Sequence, residues 1–210
     1  MRRQTLSTYY LCLLSTLLAI YIWSVIEPAD LFTWFLEMFP ALLGTAVLLL
    51  TYRRFRFTPM TYTLIWGHAI ILLVGAHYTY AEVPLFNWIK DVFDLSRNHY
   101  DRVGHFAQGF VPAMITREIL VRKSPLRGSR WLMPLVISVC LAISALYELV
   151  EWAVAALTGS AADAFLGTQG DVWDTQKDMA FCLVGATAAL LFFSAIQDRQ
   201  INRLEAMDHA

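Results

Sequence analysis

The chain has 210 residues, of which 58% are hydrophobic and only 16% are charged. Its mean hydropathy of +0.51 is too high for an ordinary soluble domain, and its net charge of −1 excludes the broad basic surface that nucleic-acid binding requires. Cys12, Cys140 and Cys182 fall inside apolar segments without a CxxC pair, so we interpret them as small buried hydrophobes. The composition predicts an integral membrane protein.

Six apolar segments are long enough to cross a hydrocarbon core of about 30 Å at about 1.5 Å per residue. They cover residues 8–25, 31–52, 62–80, 103–121, 131–157 and 179–196. We therefore predict an all-α, polytopic membrane protein, with one integral membrane domain over residues 1–210 that forms a bundle of six transmembrane helices. The first segment is expected to be retained because it is long and lacks a small-x-small cleavage site. The polar tail after residue 196 is expected to be exposed.

Positive charges divide the connections between these segments into two sides. Of the 16 Lys and Arg residues, 12 fall on the side shared by the N-terminus, the second and fourth connections and the C-terminus. The remaining four are Lys90, Arg97, Arg102 and Lys177. By the positive-inside rule, both termini are predicted to be cytoplasmic. Aromatic residues near the other side, among them Tyr80, are expected to form an interfacial belt.

The stretch HYDRVGHF leads into the fourth segment and brings ionisable groups into a membrane helix. At 100° per residue, Asp101, His105 and Gln108 share one helix face, and Arg102 lies beside His105. Ionisable residues are costly in hydrocarbon, so in a membrane helix they usually face the protein interior and mark a functional site. We select Asp101 and His105 as candidate catalytic residues, and Arg102 and His99 as candidate substrate-binding residues.

Acidic residues on the fifth and sixth segments are expected at the same depth. Glu148 and Glu151 are three residues apart, and two carboxylates this close in a low dielectric require a cation or a shared proton. Asp171, Asp174 and Asp178 form one stripe at the start of the last helix. We add Glu148, Glu151, Asp174 and Asp178 as candidate catalytic residues.

Two residues of the second and third segments are expected in the same half of the membrane. Glu37 lies about two turns into the second segment from the outside, and His77 lies near the outer end of the third. Both are candidate substrate-binding residues, and His68 is expected nearer the middle of its helix. Structural alternatives remain open for all of these residues, namely ion pairs, interhelical hydrogen bonds and helix-end charges.

Three stretches resemble a known family: HYDRVGHF, ALYELVEW and GTQGDVWDTQKDM are similar to the YjdF-like family of small bacterial inner-membrane proteins. The resemblance covers nearly the whole chain and implies a place in the bacterial inner membrane, with no settled biochemical activity. A sparser pattern of an acid and a base before His-Phe, an acid on the next helix and spaced aspartates is similar to VanZ-like proteins. Those proteins are associated with glycopeptide resistance, and this second similarity implies a cell-envelope setting. The chain departs from that pattern in its six apparent spans and in Arg102, where a Lys is common.

These residues fit a membrane-embedded enzyme or binding protein that acts on a phospholipid or lipid-linked substrate at the outer surface. Arg102 would hold an anionic headgroup, and His105 paired with Asp101 would act as acid or base. The carboxylates could bind a divalent cation, although the metal, if any, is not predicted. No GxSxG or HExxH motif is present, so no reaction type is predicted.

The alternative is a proton- or cation-coupled transporter in which Glu148, Glu151 and Asp178 titrate inside the bundle. A third possibility is a structural membrane subunit whose polar residues only pair with one another. The predicted partners are membrane lipids, with no nucleic acid, and the sequence does not predict a protein partner or an oligomeric state.

Overall fold

The computed structural model describes residues 2–159 and 163–208. Within these ranges the regular structure is entirely helical, which confirms the predicted all-α class. The helices are α1 (Arg2–Val25), α2 (Leu31–Thr51), α3 (Pro59–Tyr78), α4 (Pro84–Val92), α5 (Tyr100–Lys123), α6 (Leu132–Thr158), α7 (Asp163–Leu166) and α8 (Asp174–Asp208). A short 3-10 turn at Tyr80–Glu82 connects α3 to α4.

In the part of the chain that the structure describes, five helices are long and apolar enough to cross a membrane: α1 from Thr8, α2, α3, α6 and α8. The fourth predicted segment corresponds to α5, which spans about 36 Å but carries charged residues near both ends. The structure therefore supports five such spans and does not confirm the count of six.

α5 lies at the centre of the molecule, where it packs against α3, α6 and, most extensively, α8. The backbones of α5 and α8 touch at two glycines. A Cβ atom on Gly109 would lie 1.9 Å from the carbonyl oxygen of Cys182, and one on Gly185 would lie 2.1 Å from that of Phe106. Small residues thus permit the closest helix contact in the fold. Cys140 and Cys182 are buried as expected, whereas Cys12 lies on the outer face of α1.

α8 continues past the predicted segment to Asp208, so the expectation of an exposed tail after residue 196 is wrong for part of it. Gln197 and Ile201 are completely buried. Arg117 of α5 donates hydrogen bonds to Gln197 at 2.8 Å and to Asp198 at 2.8 and 2.9 Å. The last turns of α8 are therefore held by the same helix that contacts its beginning.

A buried polar network joins α3, α5 and α8 at this end of the bundle. Glu118 accepts hydrogen bonds from the Thr58 backbone N–H at 2.8 Å, the Thr58 hydroxyl at 2.9 Å and the Thr61 hydroxyl at 2.7 Å. Arg122 donates at 2.9 Å to Glu118 Oε1, the oxygen that also accepts from the Thr58 N–H. We call this the Glu118 network, and the end of the bundle that contains it the basic end; the opposite end is the acidic end.

The connection between α3 and α5 contains a short helix and a buried tyrosine that the sequence did not predict. α4 exposes Leu85, Trp88 and Val92 on one side, which suits a helix lying at a membrane interface. Tyr80 is buried and does not belong to an aromatic belt, because its ring lies against Gly75 and Gly104. A Cβ atom on Gly75 would approach that ring to 2.7 Å.

Candidate functional site

Arg102 stands at the start of α5 and faces the aspartates that open α8. Its guanidinium contacts the carboxylates of Asp174 and Asp178 directly. It also lies 3.3 Å from Asp171 and 3.4 Å from its neighbour Asp101. Because Arg102 is buried, its charge needs these partners, and it fastens the first turn of α5 to the first turn of α8.

Arg97 approaches the same carboxylates from the loop before α5. It contacts Asp174, and it lies 3.5 Å from both Asp101 and Asp171. It also donates to the backbone carbonyl of Gly167 at 3.1 Å. The residues Arg97, Asp101, Arg102, Asp171, Asp174 and Asp178 form what we call the ion-pair cluster.

His105 lies one turn after Asp101 on α5, and both of its ring nitrogens have acceptors nearby. Its Nε2 is 3.3 Å from Asp101 Oδ1 and 3.7 Å from Asp178 Oδ1. Its Nδ1 is 2.9 Å from Gln108 Oε1 and 3.8 Å from Glu148 Oε1. This geometry fixes the ring and allows either nitrogen to hold a proton.

A slot of about 250 Å³ opens beside His105, between α2, α3, α5 and α6. Its polar lining includes Glu37, His68, Asp101, His105, Gln108 and Glu151. Farther along α5 the lining becomes apolar, at Val111, Pro112 and Ile115. From Asp101 to Ile115 the slot follows α5 for about 21 Å. It therefore has a polar end near the ion-pair cluster and an apolar end deeper in the bundle.

The slot has an open side between α2 and α6. α2 packs on α3, and α6 packs on α5 and α8, but α2 and α6 make no extensive contact with each other. The short helix α7 contacts both of them. Gly44 of α2 and Ile143 of α6 line the slot and are exposed. In a bilayer, this side would face lipid rather than water.

Three buried polar atoms at the slot and behind it have no hydrogen-bond partner within the described part of the protein. They are Glu37 Oε2, His68 Nε2 and Glu148 Oε1. Glu37 is completely buried, and its other oxygen accepts one long hydrogen bond, 3.4 Å, from the Tyr80 backbone N–H. Since buried polar groups are normally paired, these atoms mark a place where a ligand would complete the hydrogen bonding.

The ten residues selected from the sequence fall into three groups. Those that line the slot are Glu37, Asp101, His105 and Glu151. Those that lie behind it, around Arg102 and His105, are Arg102, Glu148, Asp174 and Asp178. The remaining two, His77 and His99, do not line the slot.

His77 joins α3 to α1: its Nδ1 lies 3.3 Å from the Ser24 carbonyl oxygen, and its ring lies 4.3 Å from that of Trp23. His99 precedes the first residue of α5 and is half-buried. Burial and the positive charge of Arg97 lower the pKa of His99 below its ordinary value. His77 therefore contributes to the packing of α3 on α1, and a substrate-binding role for either histidine stays a prediction.

Arg97, Asn98 and Gln169 were not selected from the sequence, yet they organise the acidic end. The Asn98 side chain donates to the Val83 carbonyl at 3.1 Å and to Asn87 Oδ1 at 2.8 Å. Gln169 accepts from the Asn98 backbone N–H at 2.9 Å and donates to its carbonyl at 3.0 Å. The sequence pattern that could have indicated the role of Arg97 is its four-residue spacing from Asp101.

Asp101, His105 and Asp178 each offer a ligand atom, and these atoms lie within 4.8 Å of one another. Carboxylate and imidazole ligands suit a divalent cation. Such a cation would compete with Arg102, which already contacts Asp178.

The chain matches a family model described as "Predicted membrane protein (DUF2238)" over residues 9–199. The chain belongs to this family. It is 50% identical over 188 residues, 90% of each chain, to a protein of Escherichia coli (strain K12) named "Inner membrane protein YjdF". This confirms the YjdF-like resemblance, while the VanZ-like similarity stays a prediction. No solved structure matches the chain. With its apolar helices, this DUF2238 member is a multi-pass membrane protein.

Proposed function

We propose that the slot binds a membrane lipid or lipid-linked molecule, with its polar end beside His105 and its apolar chain toward Ile115. The observation that carries this proposal is the shape of the slot: polar at one end, apolar over the rest of its length, and open sideways between α2 and α6. An amphiphile that enters from the bilayer would match this polarity without leaving hydrocarbon.

We further propose that the protein is an enzyme in which His105 is the general acid or base. Asp101 Oδ1, 3.3 Å from His105 Nε2, would orient the ring and stabilise its charged form. Glu151 and Glu37 face the same slot and would bind the polar end of the substrate or relay its proton. A proton moved at His105 would thus remain within a set of carboxylates that water reaches poorly.

The charges in the slot favour a particular headgroup. Among the described residues that line it, Glu37, Asp101 and Glu151 are acidic and no Lys or Arg is present. A bare phosphate would be repelled, so the expected polar end carries hydroxyl or amine groups, or brings a divalent cation with its phosphate. Arg102 is consequently a positioning residue of the ion-pair cluster, rather than the headgroup ligand expected from the sequence.

Coupled transport is the weaker candidate. The lining of the slot beyond Gln108 is apolar, at Val111 and Ile115. Past that point, the polar atoms of Glu118 are satisfied by Thr58, Thr61 and Arg122. A proton or cation path would need polar or titrating groups along this stretch.

For the membrane arrangement, we propose that α5 is a sixth crossing, shielded from lipid by α3, α6 and α8, in the bacterial inner membrane. Both termini and the basic end would face the cytoplasm. A cysteine introduced as Phe55→Cys should react with a membrane-impermeant thiol reagent only after the membrane is opened, in a background lacking Cys12. Labelling in intact spheroplasts would reverse the orientation and move the polar end of the slot to the cytoplasmic face.

The lipid proposal is tested by comparing the lipid composition of cells that lack the protein with that of cells expressing each variant. Gly44→Leu should fill the slot without strain, because nothing lies within 4 Å of a Cβ atom at that position. It should therefore fail to restore the wild-type lipid composition. Ala46→Leu, an equally exposed position of α2 outside the slot, is the matched control and should restore it. If both variants restore it fully, the slot is not the site.

A further inference from the structure

A second and larger cavity, of about 970 Å³, lies at the basic end of the bundle between α1, α2 and α3. α1 and α2 each pack on α3 but not extensively on each other, so they leave a groove with α3 as its floor. Leu11, Leu14 and Leu49 line this groove and are 59%, 45% and 61% exposed. The groove is therefore apolar and open to the bilayer along its length.

The mouth of the groove is positively charged. Arg53, Arg54, Arg56 and Lys123 line it, and no Asp or Glu among the described residues does. In the described part of the chain, none of these four cations lies within 4.0 Å of a carboxylate; Arg122, also at the mouth, does pair with Glu118. Unpaired cations at the end of an apolar groove are the complement of an anionic headgroup that carries an acyl chain.

Aromatic rings hold part of this charge in place. The Arg56 guanidinium lies 5.0 Å from the centre of the Tyr52 ring. Arg122 and Lys123 lie 4.2 and 5.7 Å from the centre of the Phe55 ring. Cation–π contacts place these side chains beside the mouth. Arg122 also donates to Glu118, whereas Arg56 and Lys123 have no carboxylate partner within the described part of the chain and can face a ligand.

We propose that this groove is a binding site for an anionic phospholipid of the adjacent leaflet. Its phosphate would contact Arg53, Arg54 and Lys123, and one acyl chain would lie between α1 and α2 against Leu11, Leu14 and Leu49. The site is independent of the slot, since it lies at the other end of the bundle and shares only Thr45 and Ile65 with its lining.

The test uses the purified full chain in a neutral detergent and measures bound lipid by native mass spectrometry. Dioleoyl phosphatidylglycerol should bind more tightly than dioleoyl phosphatidylcholine. The double variant Arg53→Gln/Arg54→Gln should weaken phosphatidylglycerol binding by about 25-fold, since each arginine near an anionic lipid surface contributes about fivefold. Arg130→Gln, which removes an exposed charge of the same end outside the groove, should leave binding within about twofold.

Glycerol phosphate, the headgroup without chains, should not compete at the concentration of lipid that saturates the site. Competition by glycerol phosphate would mean that the ligand is a free phosphate and would overturn the lipid assignment. Equal binding of the two lipids, or an equal loss in Arg130→Gln, would show that the groove has no anionic specificity. Unchanged melting temperatures of the lipid-free variants would confirm that the comparison is made on folded protein.

Discussion

The two ends of α5 both carry buried charge, but they use it differently. At the basic end, both Glu118 oxygens are satisfied by Thr58, Thr61 and Arg122. At the acidic end, Arg102 is equally well paired, but next to it lie a slot and unpaired atoms of Glu37, His68 and Glu148. A buried charge is thus not by itself a sign of function; a buried charge beside a cavity and unsatisfied partners is a stronger one.

The sharpest test of the structural end is Glu118→Leu, which should destabilise the protein by about 3–5 kcal/mol because it removes the buried carboxylate that Arg122 and two threonines share. Denaturant unfolding of the purified protein measures this free energy. Glu118→Gln, which keeps an acceptor oxygen, should lose less unfolding free energy than Glu118→Leu. If Glu118→Leu is as stable as the wild type, the network is not structural and the comparison fails.

On the proposed function, the corresponding test of the acidic end is His105→Gln, which should reduce turnover of the proposed lipid substrate by about 100-fold or more, the usual range for loss of a general acid or base. Its loss of unfolding free energy should be smaller than that of Glu118→Leu, because Gln can still bond to Asp101 or Gln108. Turnover and denaturant unfolding are measured on the same preparation. Full activity of this variant would remove His105 from the mechanism.

Glu37→Leu should change the stability of the protein differently from Glu118→Leu, although the two carboxylates are similarly buried. Replacing an incompletely paired buried Glu by an apolar residue should leave stability unchanged or raise it by about 1 kcal/mol, while lipid turnover falls. The melting temperature and the lipid composition of the complemented cells report the two effects. A loss of several kcal/mol would show that Glu37 is as structural as Glu118.

The smallest effect is expected at the rim of the ion-pair cluster. Lys177 donates a hydrogen bond to Asp171 at 2.6 Å and holds the pKa of that carboxyl below its ordinary value. A depressed pKa stabilises the fold above the unfolded-state value of about 4, and this contribution is lost as the pH falls through the folded-state value. Asp171→Asn should therefore melt slightly below the wild type at pH 7, and the two should converge below about pH 4. If the difference in melting temperature stays constant from pH 7 to below about pH 4, the ionic interaction is not its cause.

Helix periodicity predicts much of the grouping of residues at the acidic end. Asp101 and His105 are one turn apart on one helix, and so are Asp174 and Asp178 on another. The pairing of Arg97 with Asp174 joins residues 77 positions apart and depends on how a loop folds, which periodicity does not describe. The same limit applies to Tyr80: an aromatic residue near a span end indicates an interface, and only the packing of Gly75 and Gly104 places it inside.

The sequence by itself determined the helical class, the apolar segments and the two sides of the charge distribution, because each of these depends on local composition and on a period of 3.6 residues. Only the tertiary structure decided which polar residues meet a cavity. His77 and Glu37 were both expected in the outer half of the membrane, yet the packing of α3 turns His77 toward α1 and Ser24, while Glu37 faces the slot. The physical reason is that helix rotation is set by close contacts such as Gly109 against Cys182, and these contacts join residues distant in the chain.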